Sequence, residues 1–386
     1  MYTSIKEEVR GLVKKEGVSR RRFLQQSAIM AAGSSVFSIP GLAKSRGRLA
    51  SEEARYYIQL PDKKVQCQLC PWQCIVEPGK RGRCEVRENQ DGTYISLVYG
   101  CIAAHHNDPI EKKPLYHFLP GSIAFSIATA GCNVDCKFCQ NWELAQRRPE
   151  ELHSVRFTAE ELVDYAERWK CQSIAFTYNE PTVFNEFVYD VSVRARDRGI
   201  KSVLISNGFI NKKPLLDLCE VIDAYKVDLK AFTEEYYRDV VGGTLKPVLD
   251  TLVTLKEQGI WSEIVYLTVP TLNDDASKVR EMVEWIRKNL GPDVPIHFSR
   301  FYPKYKLKNL PPTPVATLEK LRSVALDGGL HHVYLGNVPG HGGENTVCPE
   351  CHKTLIGRVG YQIFENHLSD GKCRFCGQAI SGVWKA

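Results

Sequence analysis

Ile123-Ala-Phe-Ser-Ile-Ala-Thr129 runs straight into Ala130-Gly131-Cys132-Asn-Val-Asp-Cys136-Lys-Phe-Cys139. The first half is an uninterrupted apolar, β-favouring run, the pattern of a strand buried on both faces. The second half is a Cys-x3-Cys-x2-Cys loop. Three thiolates on one short loop can hold three corners of a [4Fe–4S] cube, whose usual complement is four Cys. No fourth cysteine stands close by in sequence, so one iron would lack a protein ligand. An open coordination position marks a catalytic centre, by the logic that separates catalytic from structural zinc. A zinc loop or unliganded thiols is the plainer alternative, but three-Cys zinc sites normally recruit a fourth ligand.

Five more apolar, β-rich runs follow, at residues 173–177, 201–206, 224–229, 262–268 and 296–300, most with a helical segment between them. One helix start is explicit: Thr158-Ala-Glu-Glu161 is a capping box before Leu162, Tyr165 and Ala166. Strand–helix alternation implies parallel strands joined by right-handed crossovers. The expected fold is therefore α/β, a partial (β/α)6 barrel over residues 116–338 whose strand C-termini carry the chemistry. A Cys-rich module at 44–115 and another at 339–386 flank it.

The loop, with Phe138 before its last cysteine and a barrel strand before its first, resembles the radical S-adenosylmethionine (SAM) superfamily. The resemblance implies that SAM binds the open iron through its amino and carboxylate groups. It further implies that an electron from the reduced cluster cleaves SAM to a 5′-deoxyadenosyl radical, which abstracts hydrogen. It assigns expected roles at the strand ends. Tyr178-Asn179-Glu180-Pro181 stands where the family has Gly-Gly-Glu-Pro, which receives the SAM amino group. Ser206-Asn207-Gly208 ends the third strand. Asp228-Leu-Lys230 ends the fourth and is similar to the Asp-x-Lys pair of glycyl-radical activating enzymes, where Lys can meet the SAM carboxylate. Val269-Pro270 with Asn273-Asp274 follows the fifth, and His297 on the sixth is expected toward the adenosyl end.

Departures from that pattern are informative. Tyr178 and Asn179 replace both motif glycines, so a different backbone approach to SAM is expected. Ile205 replaces the acidic residue that helps activating enzymes hold a monovalent cation. Both changes move the chain from pyruvate formate-lyase activases toward the radical SAM member of the AmmeMemoRadiSam system. The matching stretches are Asp108-Pro-Ile-Glu-Lys-Lys-Pro-Leu-Tyr-His117, Gly131 to Trp142 with its Cys139-Gln-Asn-Trp142, Tyr178 to Pro181, Ser299-Arg-Phe-Tyr-Pro303 and Gly336-Asn-Val-Pro-Gly340. This resemblance implies association with a Memo-type and an AMMECR-type protein, and a low-potential electron donor, without defining the substrate.

The remaining cysteines fall into sets. Cys348-x2-Cys351 and Cys373-x2-Cys376 are two knuckles able to close a tetrahedral S4 site, for structural zinc first and a rubredoxin-like iron second. Cys67, Cys70, Cys74 and Cys84 form a closed four-Cys set within 18 residues, suited to zinc or an auxiliary [4Fe–4S] cluster. Cys101, Cys171 and Cys219 read as small apolar fillers, and the His105-His106 pair as loop scaffold.

Charge excludes one class of partner. The chain carries a net charge of +6, yet the first 50 residues alone contribute +7, leaving a near-neutral body and no broad nucleic-acid face. Ser19-Arg20-Arg21-Arg22-Phe23-Leu24 opens a weakly apolar run ending at Ala43, the form of a twin-arginine export signal over residues 1–43. That run is too polar for a membrane span. Export to the periplasm or envelope is expected, with cytoplasmic residence as the alternative. Two other functional classes stand beside the radical enzyme: an iron–sulfur electron-transfer protein without SAM turnover, and a zinc-stabilised scaffold that docks partners.

Overall fold

A computed structural model describes residues 45–47 and 49–385; the twin-arginine motif and its apolar run lie outside the described residues. An eight-stranded sheet forms the frame. Its strands are β1 (Ala104–Pro109), β2 (Ile123–Ala128), β3 (Ser173–Phe176), β4 (Lys201–Ser206), β5 (Ala224–Asp228), β6 (Trp261–Thr268), β7 (Ile296–Arg300) and β8 (Val333–Gly336). Strands β2 to β8 are parallel and lie in sequence order, and β1 pairs antiparallel with β2.

One principal helix fills each crossover: α1 (Ala159–Arg168), α2 (Asn185–Asp197), α3 (Lys212–Cys219), α4 (Lys246–Glu257), α5 (Ala276–Asn289) and α6 (Val315–Asp327). The frame is thus the expected α/β partial barrel of six β/α units, completed by a seventh parallel strand, β8, and an antiparallel edge, β1. The Thr158 capping box forms as read: Glu161 N donates to Thr158 Oγ1 at 3.2 Å, and Thr158 N donates to Glu161 Oε2 at 2.8 Å.

The lower end of the barrel is plugged from within the chain. Ala124, Ala175 and Ala224 are small residues at or near the starts of their strands. They leave room for Ile110, Leu115, Phe118 and Leu119, all buried in one cluster with them. Chemistry is thereby confined to the opposite end, where the strand C-termini open.

Each flanking module has its own small core. Ala54, Val65, Leu69, Val76 and Tyr94 pack around Cys67 in the N-terminal one. Leu355, Ile356 and Ile380 pack around Cys348 and Cys373 in the C-terminal one. The C-terminal module is also tied to the plug. Val383 N donates to His117 O and Leu119 N to Val383 O, each at 2.7 Å, and Arg358 Nη2 donates to Tyr116 O at 2.8 Å. His105 and His106 lie on strand β1 rather than in a loop, against Phe125 and Tyr178 respectively. Cys101 and Cys171 are buried, as fillers should be. No helix among the described residues is long and apolar enough to cross a membrane.

Candidate active site

A cavity of about 270 Å3 opens at the C-terminal ends of the strands. Cys132, Cys136 and Cys139 line it, together with Asn179, Glu180, Asn207, Asp228 and Lys230. Five strand ends thus deliver polar groups to one space: β2 the three thiols, β3 Glu180, β4 Asn207, β5 the Asp–Lys pair and β7 Ser299.

Hydrogen bonds fix most of these side chains in place. Glu180 is buried and accepts from Thr182 N at 2.9 Å, Ser206 Oγ at 2.7 Å and Asn207 N at 2.8 Å. Burial raises its pKa, while those three donors work in the opposite direction. Asn207 Nδ2 donates to Asn133 Oδ1 at 2.9 Å and faces Cys132 Sγ at 3.8 Å. Asn179 turns its amide into the cysteine loop, donating to Gly131 O at 2.9 Å and Ala130 O at 3.1 Å. Asn179 therefore shapes the loop backbone.

Tyr178 adopts an unusual backbone conformation. Its φ is 65°, in the left-handed region that glycine enters freely and bulky residues rarely do. The backbone keeps a glycine-like course despite the side chain. The phenol offsets that strain by donating to Asp108 Oδ2 at 2.5 Å, with Lys113 Nζ 4.5 Å above its ring.

Asp228 stands between two lysines. Lys226 Nζ binds one of its oxygens and Lys230 Nζ the other, the latter at 3.3 Å. Burial pushes the Asp228 carboxyl up, but the two ammonium groups outweigh it and hold the carboxyl below its ordinary value. Burial likewise opposes the Lys230 charge, and Asp228 with the nearby Cys136 and Tyr237 raises its pKa overall. Lys226 was missed in the sequence, although period-two alternation puts it on the same strand face as Asp228.

Ser206, His297 and the Val269-Pro270 and Asn273-Asp274 stretches are not brought to this cavity's wall. Ser206 is buried behind Glu180, accepting from Tyr225 OH at 2.8 Å. His297 faces a neighbouring cavity of about 510 Å3, where its Nε2 lies 2.8 Å from Glu263 Oε2 and its ring stacks on Tyr334. Burial lowers the His297 pKa. The two cavities share Pro114, Gln140, Leu267, Ser299 and Asn337 as wall. Glu344, Gly360 and Tyr361 of the C-terminal module close the far side of the second.

The donor set suits the cofactors that the sequence suggested. Three cysteine thiols without a fourth line the same cavity as a buried acid–lysine pair, which can meet a zwitterionic amino-acid moiety. The C-terminal cysteines are built differently. Cys348, Cys351, Cys373 and Cys376 place all four sulfurs within 4.8 Å of one another. Cys348 and Cys376 lie 3.6 Å apart, and Cys351 and Cys373 3.7 Å. A tetrahedral ion with sulfur at about 2.3 Å sets that edge near about 3.8 Å.

Such an arrangement defines a metal-dependent enzyme with chemistry at the open end of a partial barrel. The chain belongs to the radical SAM superfamily, whose family model matches residues 126–286. The uncharacterized protein MJ0808 of Methanocaldococcus jannaschii is 44% identical over 333 residues, covering 86% of this chain and 99% of the relative. The pyruvate formate-lyase 1-activating enzyme of Escherichia coli K12 is 25% identical over 220 residues, 53% of this chain and 89% of that enzyme. A solved radical SAM methyltransferase from Sphaerobacter thermophilus is 13% identical, with a TM-score of 0.47 over 82% of this chain and 84% of its own. Membership implies a [4Fe–4S] cluster and SAM.

Proposed function

We propose that this chain is a radical SAM enzyme that abstracts hydrogen from a substrate held in the 510 Å3 cavity beside the cysteine loop. The observation that carries this reading is the wall shared by the two cavities: a reagent at the thiols and a substrate beside His297 would meet across Ser299 and Leu267. When bound, the cluster and SAM supply one-electron cleavage of the sulfonium leading to hydrogen abstraction. The chain's own residues supply placement. Cys132, Cys136 and Cys139 would hold the cluster, and Lys230 offers a charge-assisted donor to a carboxylate. Glu180 offers an acceptor to an amine, its geometry set by Asn207 N and Ser206.

Reduction with dithionite in the presence of SAM should yield 5′-deoxyadenosine, and Cys136→Ala should abolish it. Retained cleavage in that variant overturns the reading. Activation of a glycyl-radical protein is the second reading, favoured by the similarity to activating enzymes. Ile205, standing where activating enzymes carry an acidic residue, weighs against it, and the C-terminal module across the second cavity favours a smaller substrate. Membership of the AmmeMemoRadiSam system, with Memo-type and AMMECR-type partners, belongs to the same proposal. It rests on the sequence stretches noted above and is tested by co-purification from native cells. Export by the twin-arginine route rests on Arg20 and Arg21. An unchanged cell fractionation in the Arg20→Lys, Arg21→Lys variant would sink it. Zinc is the proposed occupant of the C-terminal four-Cys site.

A further inference from the structure

Cys67, Cys70, Cys74 and Cys84 line one pocket containing a void of about 20 Å3, more than the roughly 10–15 Å3 that one water needs. Cys67 and Cys70 are buried, and Cys74 and Cys84 are half-buried beside them in the same lining. Their spacing differs from that of the C-terminal set. Among the described residues, only the C-terminal four converge with every sulfur within 4.8 Å. The N-terminal sulfurs line a pocket without converging so closely, and the sulfurs of the Cys132–Cys136–Cys139 triad do not converge so closely either. A single tetrahedral ion draws its ligands together, whereas a four-iron cube binds each thiolate to a different metal and holds them apart.

Arg87 supplies an independent observation. Its guanidinium is 1% exposed and lines the same pocket. Nη2 binds Glu186 at 2.5 Å and Nε donates to Val183 O at 3.3 Å, while Nη1 has no hydrogen-bond partner among the described residues. A buried, charged N–H without an acceptor is costly. A sulfide-bearing anion at the centre of the four cysteines would satisfy it, as outer hydrogen bonds to cluster sulfur do.

The pocket also abuts the catalytic loop. Gly131, which precedes Cys132, has φ 89° and lies so close to Cys84 that a Cβ there would stand 2.8 Å from Cys84 O and 2.5 Å from Val86 Cγ1. Trp72 Nε1 donates to Asn133 O at 2.7 Å, and Asn133 lines the pocket. No solvent layer separates the two cysteine-bearing backbones at Gly131.

We propose that Cys67, Cys70, Cys74 and Cys84 hold a second [4Fe–4S] cluster that passes single electrons to the first. A one-electron donor of the iron–sulfur or flavin protein class reduces the second cluster from its 2+ to its 1+ state. That electron then moves to the first cluster, returning the second to 2+, with no bond made or broken. The relay rests on reading the triad as the radical SAM cluster; the cluster assignment does not.

The test uses anaerobically reconstituted full-length protein, assayed for iron, acid-labile sulfide and zinc, with EPR after reduction. Wild type should hold about eight irons and eight sulfides per chain, at about four per cluster. The count should halve both in the triple variant Cys132→Ala, Cys136→Ala, Cys139→Ala and in Cys70→Ser. The triple variant should keep a reduced-cluster signal that SAM does not alter. A triple variant with no sulfide and two zinc ions per chain overturns the proposal and leaves the radical SAM reading standing. A wild type whose only cluster survives the triple substitution supports the N-terminal cluster and overturns the reading of the triad. For the relay, the ratio of donor-protein-driven to dithionite-driven SAM cleavage should fall at least tenfold in Cys70→Ser; an unchanged ratio overturns it.

Discussion

Asn207 donates from Nδ2 to Oδ1 of Asn133 at 2.9 Å, fastening the end of β4 to the middle of the cysteine loop. Asn133 passes the restraint on, donating from Nδ2 to Phe209 O at 2.7 Å. Residues that orient metal ligands typically cost about 10–100-fold in activity or affinity when removed. Asn207→Ala should therefore slow 5′-deoxyadenosine formation by about that factor. Because the thiols remain, iron content measured alongside should stay within a third of wild type. Loss of about half the iron, one cluster's worth, would mean that the pair builds the site rather than orients it.

Asp228 is the shared anionic partner of two lysines, of which Lys226 is buried. Asp228→Asn would leave Lys226 and Lys230 without their shared counter-charge. Breaking a buried pair from one side costs about 3–5 kcal/mol. A clear drop in the denaturant midpoint should result, partly recovered by adding Lys226→Met, which removes the stranded charge and keeps the stem. If Asp228→Asn unfolds with wild type, the ion pairs contribute nothing to stability.

Acid should loosen the junction between the barrel and the C-terminal module. His117 and His332 pack with ring centroids 4.4 Å apart, and His117 Nδ1 faces Ser381 O at 2.7 Å. Burial lowers the His332 pKa to about 4 and pulls His117 well below its ordinary range. A group whose folded pKa is depressed in this way favours the neutral form in the fold. Its stabilisation is complete above about pH 6.5 and is lost as pH falls from there toward 4. At pH 5 the His332 share of that loss is roughly 2 kcal/mol. Melting curves at pH 7.5 and 5 should show His332→Gln losing less stability than wild type over that interval. Parallel losses would remove His332 from the account.

Removing the ion proposed for the C-terminal four-Cys site should open the second cavity. Its ligands occupy the module that contributes Glu344, Gly360 and Tyr361 to that cavity's wall. Small metal modules take much of their folding free energy from the ion. Cys351→Ser should lose about one metal per chain and gain protease cleavage between residues 346 and 380, with the barrel fragment surviving. Unchanged proteolysis would show that the module folds without its ion.

How much of this was legible follows from how locally each feature is specified. The apolar strands at 123–129 and 201–206, and the Thr158 box, are coded by neighbours in sequence, and they appear within a residue or two of their expected limits. Strand β1 was invisible because an edge strand bearing His105, His106, Asn107 and Asp108 does not look like a strand buried on both faces. Strand β8 is four residues long and follows two histidines. Within the site, thiol spacing is a local signal, and the loop could be read. Arg358, which reaches Tyr116 across 242 residues, and Glu263, which receives His297, exist as partners only after folding. A strand position gives the face on which His297 lies, and cannot say that Glu263 turns it toward the second cavity.

The bridge between Phe118 and Val383 imposes an order on synthesis. The plug that closes the bottom of the barrel is translated long before the segment around Val383 that pairs with it. A nascent chain has every cysteine of the three sets, through Cys376, before this clasp can form. Cofactor loading can therefore begin on a chain whose barrel floor is still unlatched, and any chain terminated before Val383 would remain in that state.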